Sequence, residues 1–322
     1  MTATAMPRRL LADIGATNAR FARESGDGRI DKVRVFTCDD HARIEDALAT
    51  YLAEGPEEAP PQEAAFAWAG PVTGDAVALT NHPWSFTISG LTQHLGLARL
   101  LVVNDFAASA QAVPRLKESD RFAVGAGVPA AEAPIGVLGP GSGLGMAALV
   151  PTKNDWIVLS SEGGHATMAP ADARESAVLD RMRRRFDHVS AERALSGPGL
   201  VNLYNMLAEI DGVPAAPFTP AQIADRHIGE TEPLAREAFA MFCAMLGTVA
   251  GNLALTLGAR GGIYVAGGIV PRLGPGFAAS QFRERFEAKG RFRPYLAAIP
   301  TYVVTYPIPA FLGLVALLDR ED

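Results

Sequence analysis

The stretch Arg9-Leu10-Leu11-Ala12-Asp13-Ile14-Gly15-Ala16-Thr17-Asn18-Ala19-Arg20-Phe21-Ala22 decides the fold at the start of the chain. Its two apolar runs on either side of a small-residue turn are typical of a β-hairpin. The pattern recurs as Ile135-Gly136-Val137-Leu138, a glycine-rich turn over residues 139–145 and a returning apolar run over 146–150. This internal duplication predicts two α/β lobes.

Other short apolar runs favour strands, and longer runs with helical spacing favour helices. Predicted strands cover residues 32–36, 64–68, 100–103 and 262–270, and predicted helices cover 44–52, 91–97, 173–186, 191–194, 199–210, 234–257 and 309–320. Strands alternate with helices in the first half, and the second half is mostly helical. The sequence therefore predicts a mixed α/β protein.

Size and composition indicate a folded protein that binds small ligands. The chain has 322 residues, against the ~150 expected of a single domain. Hydrophobic residues make up 48% and charged residues 20% of the sequence, which excludes a disordered or collagen-like chain. The net charge of -6 offers no general attraction to nucleic acid or to anionic lipid.

Cysteine content and hydropathy predict a cytoplasmic location. The sequence contains only Cys38 and Cys243, too few for a disulfide framework or a structural zinc site. Asp13 interrupts the first apolar run, so no secretory signal is expected. Residues 238–259 carry no charge and are long enough to cross a bilayer, but glycine, threonine and asparagine interrupt them. We expect a buried core helix there.

Glycine-rich turns are candidates for phosphate binding, because their backbone N–H groups can converge on phosphate oxygens. A tight hairpin with no ligand is the alternative for the turn at 139–145. Gly143-Leu144-Gly145-Met146-Ala147-Ala148 matches a loose dinucleotide-binding pattern, but Pro151 leaves no room for the helix that such a site needs. No lysine follows a glycine, so a P-loop is absent.

Acidic residues follow two predicted strands. Asp13 stands near the end of the first strand, where a carboxylate can hold metal-bound water beside phosphates. A turn-forming role is the alternative. Asn104-Asp105 follows the strand at 100–103, and α/β proteins place their sites at such carboxyl ends. A helix N-cap is the alternative for this pair.

A third candidate segment is Ser161-Glu162-Gly163-Gly164-His165. Glu162 and His165 make a poor metal site, but their acceptor and donor groups suit the recognition of several hydroxyl groups. Glu192 stands in the first turn of a predicted helix, where its charge also complements the helix dipole. Both interpretations of Glu192 stay open.

In order and spacing, six segments together resemble those of bacterial glucokinases, within the superfamily of hexokinases, actin and chaperone ATPases. The resemblance spans residues 9–318. The segments are Leu11-Ala12-Asp13-Ile14-Gly15-Ala16-Thr17-Asn18-Ala19-Arg20, Asn104-Asp105-Phe106, residues 139–145, Glu162-Gly163-Gly164-His165, residues 190–203, and Ala266-Gly267-Gly268-Ile269-Val270-Pro271-Arg272.

The resemblance implies transfer of the ATP γ-phosphoryl group to the 6-hydroxyl of glucose, a reaction of glycolysis. It implies that Asp105 is the general base and that Asp13 positions Mg²⁺ through water. The positions implied for sugar binding are Asn104, Asp105, Glu162, His165 and Glu192. The positions implied for ATP binding are Asp13, Ile14, Gly15, Ala16, Thr17, Asn18, Gly141, Ser142, Gly143, Gly267 and Gly268.

The resemblance also implies the architecture, which is two actin-like (ribonuclease H-like) α/β lobes with mixed sheets around a central cleft. Residues 1–113 and 307–322 are expected to form the smaller lobe, and residues 114–306 the larger one. The family's Asn-His-x-Trp-x-Phe stretch is present as Asn81-His82-Pro83-Trp84-Ser85-Phe86, which we expect near the cleft without assigning it a contact.

Two departures from the family pattern are Ala16, where a second glycine is usual, and Ser142, where threonine is common. The Cys-rich zinc motif of the related repressor-type sugar kinases is missing, so ATP and Mg²⁺ are expected without zinc. Glucose and ATP are the expected ligands of a homodimer, with no nucleic-acid or membrane partner. A kinase for another hexose or amino sugar is the main alternative, and a non-catalytic sugar-sensing protein is a second one.

Overall fold

The structure is a computed structural model, and it describes residues 8–25, 28–54 and 60–320. The chain forms two compact units. The first contains Met1–Leu116 together with Pro307–Asp322, and the second contains Lys117–Tyr306. The sequence set the first boundary after residue 113 and the second after residue 306.

Strands and helices are numbered along the chain. The strands are β1 (Arg9–Ile14), β2 (Asn18–Glu24), β3 (Ile30–Thr37), β4 (Glu63–Trp68), β5 (Ala76–Ala78), β6 (Ser85–Thr87), β7 (Arg99–Asn104), β8 (Arg121–Ala123), β9 (Ile135–Pro140), β10 (Leu144–Pro151), β11 (Trp156–Ser161), β12 (Gly262–Val265) and β13 (Thr301–Val304). The α-helices are α1 (Ile44–Ala53), α2 (Ile88–Leu95), α3 (Asp105–Ala112), α4 (Ala173–Arg183), α5 (Ala191–Ala194), α6 (Gly197–Asp211), α7 (Pro220–Ile223), α8 (Arg226–Thr231), α9 (Pro233–Leu257), α10 (Pro275–Ala278), α11 (Phe282–Glu287), α12 (Arg293–Ala297) and α13 (Pro309–Leu318). Short 3-10 helices cover Cys38–Asp40, Val113–Arg115, Glu118–Asp120, Gly163–His165, Val270–Leu273 and Gly290–Phe292.

The main sheets of the two units have the same strand order. In the first unit the described strands run β3-β2-β1-β4-β7, and in the second they run β11-β10-β9-β12-β13 with β8 added at the edge. In both sheets the first hairpin is antiparallel, and the next two strands lie parallel to its first strand. The duplicated hairpin of the sequence is therefore duplicated in the sheets, and the predicted mixed α/β fold is confirmed.

Two predicted boundaries were wrong. The strand expected over 262–270 ends at Val265, because Gly267 takes a φ of +85° and Val270 begins a 3-10 helix. The helix expected over 91–97 covers Ile88–Leu95 instead, since Thr87 caps its start and Gly96 ends it at a φ of +65°. The strands β5, β6, β8, β11 and β13 were not predicted.

The first unit has a hydrophobic core on each face of its sheet. One core includes Trp68, Trp84 and Phe86, and the other holds α13. At its closest point α13 crosses α3, where a Cβ on Gly313 would lie 1.8 Å from the carbonyl oxygen of Ala108. Only glycine allows this approach, which fixes α3 against the sheet.

The core of the second unit is built around α9, which packs against α6 and α11. This helix is long and apolar enough to cross a membrane by length and composition, and 61% of its most apolar window is buried inside the protein. Gly247 and Gly251 let it approach α11 closely, because a Cβ on either residue would meet a carbonyl oxygen of α11.

Candidate active site

In the first unit, the predicted site residues gather at one edge of the sheet. Strands β1, β4 and β7 are parallel, and Trp68 is the register partner of both Ile14 and Asn104. Parallel strands end at the same edge, so the turn after β1 and the start of α3 lie on either side of β4. Two inter-strand spacings, about 10 Å, separate them.

The turn at residues 15–18 is closed by its own backbone and by the chain that follows β3. The Gly15 N–H donates to the Asn18 carbonyl at 3.0 Å, and the Cys38 N–H donates to the Thr17 carbonyl at 2.9 Å. The Cys38 thiol donates to the Gly15 carbonyl at 3.4 Å. Burial, with a smaller effect of Asp39, raises the pKa of this thiol to about 11, so it stays protonated as a donor.

Asp13 lies beside this turn and is paired with a cation. Its Oδ2 accepts a hydrogen bond of 2.9 Å from Arg20 Nη1, and its side chain is 17% exposed. The two residues are register partners across the β1–β2 hairpin. Burial raises the pKa of Asp13, and Arg20 opposes that shift. No role was predicted for Arg20, although the predicted hairpin already puts it opposite Asp13.

Asn104 and Asp105 join β7 to α3. Asn104 is the N-cap, and its Oδ1 accepts from the N–H groups of Phe106 at 3.0 Å and Ala107 at 3.2 Å. The capping alternative therefore holds for Asn104, whose Nδ2 donates to the Gly70 carbonyl at 3.4 Å. Asp105 is the first helical residue, half-buried, and its Oδ1 accepts from the Phe106 N–H at 2.9 Å.

In the second unit, the two glycine-rich segments meet at the carboxyl ends of β9 and β12. These strands are parallel, with Leu138 paired to Val265. The two segments approach each other closely, because a Cβ on Gly267 would lie 2.5 Å from the Pro140 carbonyl oxygen. In contrast, a Cβ on Gly141 or on Gly268 would meet nothing within 4 Å. There is thus free space beside the Cα atoms of both residues, although the Gly141 N–H already donates to the Gly143 carbonyl at 2.8 Å.

The Glu162–His165 segment packs on the same hairpin. A Cβ on Gly164 would lie 2.0 Å from the Leu144 carbonyl oxygen, and one on Gly163 would lie 2.9 Å from Met146 Sδ. Because neither glycine has a side chain, the 3-10 helix can pack closely against β10. Glu162 precedes this helix and His165 is its last residue, and both side chains are exposed.

Glu192 connects this segment to the glycine-rich turn. Its Oε2 accepts from the Leu144 N–H at 2.8 Å and would lie 2.4 Å from a Cβ on Gly143. The start of α5 also adjoins the 3-10 helix, since the Ala191 N–H donates to the Ala166 carbonyl at 2.8 Å. The structure thus brings Glu162, His165 and Glu192 into adjoining segments around Leu144.

The predicted site residues therefore form two sets, one in each unit. No group of three or more His, Cys, Asp or Glu side chains able to hold a metal ion occurs among the described residues. Mg²⁺ needs fewer protein ligands than that, because it keeps several waters and binds substrate phosphates. A single carboxylate such as Asp13, beside a turn that the sequence predicts to bind phosphate, fits that chemistry.

Comparison with known proteins gives a consistent result. Residues 10–321 match the family model described as Glucokinase. The chain is 52% identical to the glucokinase of Paramagnetospirillum magneticum, over 96% of this chain and 97% of that protein. It is 50% identical to that of Nitrobacter hamburgensis, over 96% of each chain. A crystal structure of glucokinase from an Antarctic psychrotroph has a TM-score of 0.85 and 36% identity, covering 98% of this chain and all of that one.

Proposed function

Because the chain belongs to the glucokinase family, it is an enzyme that phosphorylates glucose with ATP, and we propose that Asp105 is the general base of this reaction. The observation that carries the proposal is the position of Asp105 at the start of α3, at the sheet edge that also holds the turn 15–18. Phosphoryl transfer depends on positioning and charge neutralisation, with a carboxylate to receive the proton of the attacking hydroxyl.

The fixed backbone around Asp105 supports this role. Asn104 caps α3 through its Oδ1, and α13 holds the other side of the helix at Ala108. A base acts efficiently only when its oxygen is held within reach of the proton it accepts. We assign Asn104 to sugar binding through its Nδ2, since its Oδ1 already accepts two hydrogen bonds.

The first unit also supplies the phosphate-binding turn. The residues in this role are Asp13, Ile14, Gly15, Ala16, Thr17 and Asn18. Asp13 would hold Mg²⁺ through water with its Oδ1, since Arg20 occupies Oδ2. When bound, Mg²⁺ neutralises negative charge on the transferred phosphoryl group. The hydrogen bond from Arg20 fixes the orientation of the Asp13 carboxylate.

In the second unit, Gly141, Ser142 and Gly143 would face the ATP phosphates, and Gly267 and Gly268 would lie near the adenosine. The open space around Gly141 and Gly268 supports these assignments. Glu162, His165 and Glu192 would bind the sugar hydroxyls. Two carboxylates and an imidazole supply the acceptors and the donor that a polyol requires.

The proposal also includes a cellular location, cofactors and an oligomeric state. Cys38 and Cys243, the two cysteines of the sequence, are buried and unpaired in the part of the chain that the structure describes. Free cysteines suit the reducing cytoplasm, and the proposed cofactors are ATP and Mg²⁺ without zinc. The proposed assembly is a homodimer, for which sedimentation should give twice the mass of the 33.9 kDa chain.

A sugar panel tests the proposed function. ADP production is measured with glucose, fructose, mannose and N-acetylmannosamine at equal concentrations. We expect the highest kcat/KM with glucose. A higher value with another sugar would indicate a kinase for that sugar, and sugar binding without ADP production would indicate a sugar-sensing protein.

A further inference from the structure

The segment Asn81-His82-Pro83-Trp84-Ser85-Phe86 alternates between exposed and less exposed side chains. Asn81, Pro83 and Ser85 are exposed, whereas Trp84 and Phe86 are buried. Residues 80–83 form a turn that leads into β6, and Trp84 and Phe86 lie in the core of the first unit. Phe86 packs edge-on against Trp68, with ring centroids 5.2 Å apart.

Trp84 and His82 bind the chain that follows β3. Trp84 Nε1 donates to the His41 carbonyl at 2.9 Å, with only 1% of Trp84 exposed. His82 Nε2 lies 3.3 Å from Asp39 Oδ1. His82 Nδ1 accepts from the Trp84 N–H at 3.3 Å, which leaves the ring proton of a neutral His82 on Nε2, facing Asp39.

The chain between Cys38 and His41 in turn holds the turn 15–18. The Cys38 N–H bonds to the Thr17 carbonyl and the Cys38 thiol to the Gly15 carbonyl. The His41 N–H donates to the Cys38 carbonyl at 3.1 Å, so residues 38–41 form one hydrogen-bonded 3-10 turn. A continuous series of hydrogen bonds thus runs from Trp84 through His41 and Cys38 to the turn.

We propose that His82 and Trp84 are positioning residues for ATP, because they fix the 38–41 segment that holds the phosphate-binding turn. The proposal rests on the proposed function of that turn. Backbone donors stabilise a transferring phosphoryl group only when they are already oriented before the reaction. The turn itself is short, so its orientation depends on a neighbour that is anchored in the core.

Trp84→Phe tests the proposal, because it removes the indole N–H and keeps an aromatic ring in the core. Trp68→Phe is the matched control, since Trp68 is equally buried in the same core and its Nε1 has no hydrogen-bond partner in the described part of the chain. With Trp84→Phe we expect KM for ATP to rise about three- to tenfold, the effect of one lost hydrogen bond to a buried carbonyl. KM for glucose should change by less than about twofold, because no sugar ligand is displaced.

Hydrogen exchange supplies a second measurement. In Trp84→Phe the amide of Cys38 should exchange faster than in the unsubstituted protein, since its bond to the Thr17 carbonyl depends on the 38–41 segment. Trp68→Phe should leave that amide unchanged. Equal KM values for ATP in the two variants, whether raised or unchanged, would overturn the proposal.

Asp39→Ala decides the question if Trp84→Phe does not fold. The Asp39 side chain is 89% exposed, so its removal leaves the core intact. A selective rise in KM for ATP would support the proposal, and an unchanged KM would overturn the role of His82 in it. Thr17→Ala helps to separate the proposed role of the turn from the proposed role of Trp84. Unchanged ATP kinetics in both Thr17→Ala and Trp84→Phe would refute the assignment of the turn, whereas a change in Thr17→Ala alone would refute only the role of Trp84.

Discussion

The side chain of Glu192 accepts a hydrogen bond of 2.8 Å from the backbone N–H of Leu144, 48 residues earlier in the chain. Leu144 is the first residue after the glycine-rich turn at 141–143. One oxygen of the Glu192 carboxylate, which we propose to bind the sugar, therefore holds the end of the proposed phosphate-binding turn. This contact therefore joins the segment proposed to bind the sugar to the turn proposed to bind phosphate.

Glu192→Gln and Glu192→Ala should separate the two roles of this side chain. Gln can still accept from the Leu144 N–H, so it should raise KM for glucose by about tenfold and leave KM for ATP unchanged. Ala removes the acceptor as well, so KM for ATP should also rise. Steady-state kinetics with each substrate varied will measure both effects. Identical ATP kinetics in the two variants would contradict a role for Glu192 in holding the turn.

Glu162→Gln and His165→Ala should weaken glucose selection without changing ATP binding, because a site built for hydroxyl groups loses its pairing when one partner changes. The expected result is a rise in KM for glucose of about tenfold and a reduced preference for glucose over fructose. ATP affinity is the control. A wild-type KM and preference in both variants would show that these residues do not bind the sugar.

Gly143→Ala should disturb Glu192 without changing the carboxylate itself. The added Cβ would lie 2.4 Å from Glu192 Oε2, so the side chain must leave the Leu144 N–H. We expect kcat/KM for glucose to fall by about tenfold. Gly74→Ala is the matched control, because a Cβ there would meet nothing within 4 Å. Equal activity in the two variants would rule out a close approach of Glu192 to the turn.

The sequence predicted those features that depend on local pattern. Apolar runs on either side of small-residue turns predicted both hairpins, and the strand-end position of Asp105 placed it at the edge where β1 also ends. The N-cap role of Asn104 was the stated alternative for a polar residue before a helix, and it coexists with the proposed sugar contact. Local chemistry was sufficient for these residues.

The sequence pattern could not predict contacts between segments that are distant in the chain. The hydrogen bond that Glu192 accepts from the Leu144 N–H depends on where α5 lies relative to β10. The spacing of residues in the sequence does not indicate which backbone group a side chain will bind. The need for Gly164 appears only where the Leu144 carbonyl approaches it. Strand β13 has four residues, too few for an alternating pattern to identify it. Its place in the sheet follows from parallel pairing with β12.

Asp105→Asn should remove proton acceptance and keep the shape of the site. The amide oxygen can still accept from the Phe106 N–H, so α3 should start as before. We expect kcat to fall by about 10²–10⁴-fold with little change in glucose binding measured by calorimetry. Asp180→Asn, on an exposed helix face, is the control for loss of a carboxylate. Turnover close to wild type would remove Asp105 from the mechanism.

The attachment of α13 should weaken in acid. Burial alone would raise the pKa of Asp319, but hydrogen bonds from Arg9 and Arg115 outweigh it and hold the pKa below its ordinary value. A lowered pKa stabilises the folded state at pH values above the unfolded pKa of about 4, and this contribution disappears as the pH falls through the folded pKa.

Asp319→Asn should therefore lower the free energy of unfolding at neutral pH, by about 1 kcal/mol or less because Asp319 is partly exposed. Urea denaturation of both proteins as a function of pH measures the difference. The gap between them should close as the pH falls below about 4. A gap that stays constant down to pH values well below this range would show that the ion pairs of Asp319 do not stabilise the fold.

The crossing of α13 and α3 gives the last prediction, because it connects the end of the chain to the proposed base. A Cβ on Gly313 would lie 1.8 Å from the Ala108 carbonyl oxygen, and neither backbone can yield without separating the helices. Gly313→Ala should therefore destabilise the protein by about 2–3 kcal/mol, the typical cost of overpacking a tight contact. Ala108 stands one turn after Asp105, so kcat should fall as well.

Gly276→Ala is the control for this substitution. It also replaces a helical glycine, but a Cβ there would meet nothing within 4 Å. Without a clash, alanine is the better helix former by about 1 kcal/mol, so this variant should be as stable as the wild type or more so. Thermal unfolding and kcat for glucose will compare the two. If Gly313→Ala behaved like Gly276→Ala in both measurements, close packing of α13 on α3 would be irrelevant to holding Asp105.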